Sequence, residues 1–201
     1  MNFGMLRVLN DDTVVPAMGF GTHPHDNMEI ITLVLEGALE HKDSMGTGSV
    51  IYKDEVQVMS AGSGITHSEF NPSDKEGVKL FQIWIFPKEK NIKPRYDQKS
   101  FPISERKNKL IPAVSGLNKE GSLYIHQDAE IYLGNFEKGK QINYQIINPA
   151  NGSYIFVIDG SIKVGDEELF NRDAIGISEV NNIEIEMIED SNFLIIDVPM
   201  G

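Results

Sequence analysis

The chain has 201 residues with 18 basic against 30 acidic side chains, a formal net charge of -12, and such a surface repels phosphate backbones, so direct nucleic-acid binding is set aside. It contains no cysteine, which excludes disulfides, thiolate metal sites and a cysteine nucleophile and leaves chemistry to nitrogen and oxygen groups. The start, MNFGMLRVLNDDTV, lacks a basic segment followed by an apolar one, and no apolar run is long enough to cross a bilayer, so a cytoplasmic protein without membrane contact is expected.

Short apolar runs alternate with turn residues in the rhythm of an antiparallel sandwich or barrel. In the first half they are Ile30 to Leu35 before Glu36-Gly37, Val56 to Met59 before Ala61-Gly62-Ser63-Gly64, and Lys79 to Phe86 before Pro87. From Phe86 to Gly121 the texture changes to prolines, clustered lysines and little alternation, which reads as a crossover with at most a short helical turn. Strand patterns resume over Glu130 to Phe136, Ile142 to Ile147, Tyr154 to Ile158, Ser161 to Val164 and Phe193 to Val198. Asp159-Gly160 and Gly165-Asp166 are residues that tolerate tight turns, and both suggest hairpins. Sustained 3.6-residue periodicity is missing, so the class is all-β with little helix. The Leu-Glu-Gly turn at 35–37 and the Ile-Asp-Gly turn at 158–160 echo each other, which points to a duplicated barrel. The domains expected are 1–100, a linker over 101–120, and 121–201.

Two of the five histidines lie in Gly21-Thr22-His23-Pro24-His25. Residues at i and i+2 on a strand share a face, so His23 and His25 can converge on one ion, while Pro24 places them at a strand end or rim. His67 and Glu69, in Thr66-His67-Ser68-Glu69, repeat that spacing. Three imidazoles and a carboxylate suit Fe(II), Mn(II), Ni(II) or Zn(II). An octahedral ion would keep two positions for substrate or dioxygen, whereas tetrahedral zinc would be closed by the same four groups. A lone histidine in a β protein is usually hydrogen-bonded or at the surface, but two such pairs bounded by glycine turns favour a metal. Glu29, four residues after His25, competes with Glu69 for the carboxylate position or acts behind the ligands. His41 is expected to be hydrogen-bonded near a strand end and His126 to be structural. In the second half Gln141, Tyr144 and Gln145 occupy the region where ligands would be sought, so that half is expected to be metal-free.

The run Gly19-Phe20-Gly21-Thr22-His23-Pro24-His25-Asp26-Asn27-Met28-Glu29, continued by Val34 to Ser44, resembles the signature of pirins, a bicupin family. Met59 to Glu69 and Leu80-Phe81-Gln82-Ile83-Trp84-Ile85 fit it as well, and 121–201 matches only as the family's more variable second barrel. The resemblance implies two tandem cupin-type barrels, each a double-stranded β-helix or jelly roll. It implies metal ligands at His23, His25, His67 and Glu69, with iron as the usual metal. Pirins also carry a further segment ahead of the position matching Asn2, so a chain starting here is expected to leave a sheet edge exposed.

Bacterial pirins are associated with quercetin 2,3-dioxygenase activity and animal pirins with a nuclear cofactor role. The first suggests a metal-dependent enzyme that takes a flavonol or similar flat aromatic and dioxygen, with Glu69 or Glu29 accepting the substrate's proton. The alternative is a non-enzymatic, metal-binding regulatory protein whose acidic second half, including Asp166, Glu167 and Glu168, meets a protein partner. A monomer is expected in either case.

Overall fold

The computed structural model describes residues 2–201, and among them the 3-10 turn Ile103–Glu105 is the one helical segment. The chain divides into two compact units, the first made of Leu6–Pro102 with Ile125–Gln127 and the second of Ile103–Tyr124 and Asp128–Gly201 with the N-terminal residues through Met5. No helix among the described residues is long and apolar enough to cross a membrane.

The first unit is built from β1 (Leu6–Val14), β2 (Gly19–His25), β3 (Glu29–Glu36), β4 (Ala38–Asp43), β5 (Gly48–Tyr52), β6 (Glu55–Ser60), β7 (Ile65–Phe70), β8 (Val78–Ile85) and β9 (Arg95–Ser100). They form two sheets, ordered β1-β8-β3-β6-β9 and β2-β7-β4-β5. The run EIITLVLE makes β3 a central strand, covered on both faces and paired with β8 and β6. Two apolar clusters cap its inner face. Ile30, Met59, Ala61 and Ile65 form one with Met28 and Trp84, and Val14, Val34, Leu39, Ile51, Val78 and Leu80 form the other. Thr32 lies between Ile30 and Val34 on the same face and marks a polar layer between the clusters.

The second unit contains β10 (Lys109–Ser115), β11 (Leu123–Tyr124), β12 (Glu130–Phe136), β13 (Gln141–Gln145), β14 (Asn151–Asp159), β15 (Ile162–Val164), β16 (Glu167–Leu169), β17 (Ala174–Ile177), β18 (Asn182–Met187) and β19 (Ser191–Pro199). Its sheets run β11-β10-β12-β19-β14-β17 and β13-β18-β15-β16. The second order repeats β2-β7-β4-β5, and β14 sits between β19 and β17 as β3 sits between β8 and β6. The echo between residues 35–37 and 158–160 therefore marks equivalent corners of a duplicated architecture. Gly37 and Gly160 both adopt positive φ, 76° and 85°. A Cβ would stand 2.7 Å from the Gly77 carbonyl oxygen in the first and 2.1 Å from that of Asp190 in the second, so glycine is required at both.

Two local expectations are corrected. Asp159-Gly160 does not close a hairpin, because β14 pairs with β19 and β17 while β15 pairs with β16 and β18; the turn carries the chain from one sheet to the other. Gly165-Asp166 does close one, with Val164 opposite Glu167. The stretch 101–120 is not a free linker either, since β10 runs along β12 from Lys109 opposite Asn135 to Ser115 opposite Glu130. Its alternation is broken at Pro112, where the register shifts, and the polar edge strand β9 similarly lacks an apolar face.

The second unit carries its own buried polar row. Ser115, Glu130, Asp197 and Ser153 stand opposite one another across β10, β12, β19 and β14. Glu130 accepts from the Ser115 hydroxyl (3.0 Å), the Lys119 ammonium (2.6 Å) and the Tyr132 hydroxyl. Asp197 accepts from the Tyr144 hydroxyl (2.8 Å) and the Asn151 amide (2.6 Å). Tyr144→Phe leaves a buried carboxylate oxygen short of its main donor, and it is expected to destabilise the protein by about 1–3 kcal/mol. Urea unfolding checks this, and an unchanged midpoint would contradict the assigned role.

Candidate metal centre

Strands β2 and β7 pair antiparallel with His23 opposite His67, His25 opposite Ile65 and Phe20 opposite Glu69, and the register shifts between Phe20 and His23. Because β2 is an edge strand, Pro24 removes no ladder bond from a neighbour on its free side. Without the shift His23 would face Thr66; with it His23 stands directly across from His67. The ring centres of His23, His25 and His67 lie 4.4–5.0 Å apart, and each ring offers a nitrogen within 4.8 Å of the other two.

Glu69 is buried beside them. Its Oε2 accepts from the Gln82 amide at 2.8 Å, while Oε1 has no protein partner. It shares a second group of converging ligand atoms with His67 and His41. The Nε2 of His67, likewise buried, is also without a partner. Buried polar atoms are rarely left unpaired, and a divalent cation would satisfy this nitrogen and this oxygen together. The donor set of imidazole nitrogens and one carboxylate fits a first-row transition ion.

Electrostatics keep His67 and His25 ready to bind. Burial, then the neighbouring His23, His41 and His25, push the His67 pKa down to about 3. Burial and His23 lower that of His25. Burial raises the Glu69 carboxyl, against the Gln82 amide and the nearby His23, which favour its charged form. His23 Nδ1 lies 2.8 Å from the Gly21 carbonyl oxygen; in the neutral ring this nitrogen donates and Nε2 keeps the lone pair. His25 packs edge-on against Trp84, with ring centres 5.0 Å apart. A cavity of about 620 Å³ opens beside it, lined by Pro24, His25, Asp26, Ser44, Ser63 and Thr66 among others.

Glu29 does not join this group. Strand alternation puts it on the face of β3 opposite Ile30 and Thr32, and Thr32 is the residue that meets Glu69. Glu29 is fully buried, accepts from the Ser60 hydroxyl at 2.7 Å and has its pKa raised to about 7, chiefly by burial. His126 contributes its backbone N–H to Glu29. His41 is indeed hydrogen-bonded, but lies inside β4, fully buried, and not at a strand end. Sequence reasoning overlooked Gln82, Thr32 and Asp43, although Asp43 follows His41 at the same i, i+2 spacing that marked the histidine pairs. In the second unit the inward residues of the matching β13 and β18 pair include Tyr144, Ile183 and Ile185, which belong to its apolar core, and Ile142, which packs against it, while Gln141 and Gln145 face outward.

The family model for pirin matches residues 1–85, and the model for a quercetinase C-terminal cupin domain matches residues 113–198. The quercetin 2,3-dioxygenase of Escherichia coli strain K12 is 41% identical over 199 residues, covering 99% of this chain and 84% of that protein. A pirin-like protein of Caulobacter vibrioides is 38% identical over 198 residues, covering 98% of this chain and 84% of its own length. The crystal structure of YhhW from Escherichia coli superposes with a TM-score of 0.95 at 41% identity, covering 100% of this chain and 84% of that one. A second structure, bacterial pirin YhhW in complex with nickel(II), gives a TM-score of 0.94 at 40% identity, covering 100% and 85%.

A histidine whose pKa is lowered on folding resists protonation in the native state, whereas the unfolded chain takes up the proton near 6.5. The metal-free protein should therefore hold this stability above pH 6.5 and lose it progressively as pH falls towards about 3, the His67 value. Denaturant titrations across that window are expected to show the loss, and to show a shallower one in His67→Gln.

Proposed function

Starting from a chain that belongs to the pirin family, we propose that it is a metal-dependent dioxygenase that opens a flavonol of the quercetin type with dioxygen. The ion would be held by His23, His25, His67 and Glu69. The observation that carries this reading is the convergence of three imidazoles beside a carboxylate whose Oε1 has no protein partner. Iron(II) is the metal we infer first; manganese, nickel and zinc accept the same donors.

When bound, the ion supplies Lewis acidity that lowers the pKa of a coordinated hydroxyl and a position for dioxygen. The protein's own groups do the rest. Glu69, fixed through Oε2 by Gln82, takes up the flavonol hydroxyl proton, and its burial raises its affinity for that proton. Trp84, Met28 and the Ile30–Ile65 cluster give the layer an apolar wall that excludes water. In the overall change one flavonol and one dioxygen give a ring-opened ester and one carbon monoxide. Glu29, on the other face of β3, takes no part.

Iron-loaded protein given quercetin is expected to consume oxygen and release carbon monoxide in equal amounts. Turnover no greater than that of a His23→Ala, His25→Ala double variant would remove the enzymatic reading. Glu69→Gln should lower kcat by about 100-fold or more, while Glu29→Gln should leave it within a few-fold.

A further inference from the structure

We propose that Asp43 and His41 form a buried relay that fixes His67 in its Nδ1–H tautomer and thereby presents His67 Nε2 to the metal. The geometry is a chain of three side chains on the paired strands β4 and β7, where Asp43 stands opposite His67 and His41 opposite Glu69. His41 Nε2 lies 3.1 Å from Asp43 Oδ2, and His41 Nδ1 lies 3.4 Å from His67 Nδ1.

Hydrogen-bond logic gives the direction. An ionised carboxylate only accepts, so His41 must carry its hydrogen on Nε2. A neutral imidazole has one donor and one acceptor nitrogen, so His41 Nδ1 accepts. The facing His67 Nδ1 must then donate, because two lone pairs in that position would repel. The remaining lone pair of His67 falls on Nε2, the buried atom that lacks any protein partner.

Both ends of the relay are anchored. Asp43 Oδ1 accepts the backbone N–H groups of Met45 at 2.9 Å and Thr47 at 3.0 Å, and the side chains of His41 and Asp43 are fully buried. The Tyr96 ring packs over His41 with centres 4.8 Å apart and 33° between planes. The same accounting removes His41 as a ligand, despite its closeness to His67 and Glu69, since both of its nitrogens are engaged. His23 achieves the same tautomer with the Gly21 carbonyl; His67 depends on a side chain, so its control can be altered by substitution.

The inference rests on the metal centre and not on any substrate, and its test needs no turnover. Nitrogen-15 histidine spectra of the metal-free protein, assigned by single histidine substitutions, should show Nδ1–H for His67 and Nε2–H for His41. His41→Phe should abolish the His67 preference and weaken nickel(II) binding, measured by chelator competition, by about 10- to 100-fold. Asp43→Asn is the sharper variant. It keeps the oxygen that receives the turn N–H groups yet can offer an amide hydrogen to His41 Nε2, which reverses the relay and places the hydrogen of His67 on Nε2. Nickel(II) affinity should then fall at least as far as in His41→Phe, although the change is nearly isosteric. Finding Nε2–H on His67 in the unaltered protein, or nickel(II) affinities within twofold in both variants, would overturn the proposal. If His41→Phe fails to fold, the spectra and Asp43→Asn decide the matter alone, and loss of quercetin turnover with unchanged nickel(II) affinity would count against it.

Discussion

Three imidazole rings with centres 4.4–5.0 Å apart crowd one end of the first unit, and the buried His67 among them is held neutral. A proton on His67 would be a buried charge facing the other rings, and the low dielectric makes that costly. Much of the first unit serves this condition. Ile30, Met59, Ala61 and Ile65 close one side of the layer, and the Val34–Leu39–Leu80 cluster closes the other. The same burial leaves His67 Nε2 and Glu69 Oε1 without partners, as it does Thr32 Oγ1 and the Gln57 amide, and the first two are donors that a cation can use together.

The second unit shows what the architecture becomes without that condition. It repeats the strand order and the obligatory glycine at the corner, but the β13 and β18 positions that match the histidine strands carry Ile142, Tyr144, Ile183 and Ile185. Its buried polar groups lie in a transverse row on the other sheet and largely satisfy one another, with Glu130 and Asp197 each supplied by hydroxyl, amide or ammonium donors. One topology thus supports an interior closed by protein donors and another left open for an ion. The difference resides in a few inward-facing side chains, which is why fold alone would not have assigned the site.

The all-β class, the duplication and the histidine pairs were legible because they are local: period-two alternation, turn residues and i, i+2 spacing are written along the chain. What escaped is non-local. That Asp159-Gly160 turns between sheets and not within a hairpin depends on which distant strands β14 and β15 choose as partners. Strand β10 was hidden by Pro112 and its register shift. Gln82 and Thr32 have no motif of their own, and they acquire a role only when β8 and β3 bring them against Glu69. Asp43 had a readable spacing from His41, but its meaning required knowing that β4 lies beside β7.

Glu29 and Glu69 show how finely strand geometry separates roles. Both are buried carboxylates near the histidine strands, and both have a raised pKa, mainly from burial. Proton affinity therefore does not distinguish a candidate base from a bystander; position does. Glu29 is three residues before Thr32, an odd interval, so it falls on the opposite side of β3 and is served by Ser60 and a backbone N–H. Glu69 is two residues beyond His67, an even interval, and shares its face. A register slip of one residue in β3 would turn Glu29 inward and Thr32 outward, and the central position of β3, locked by β6 and β8 on either side, is what prevents it. The arrangement of the site is thus set first by the apolar residues that fix register and only then by the polar residues that converge in it.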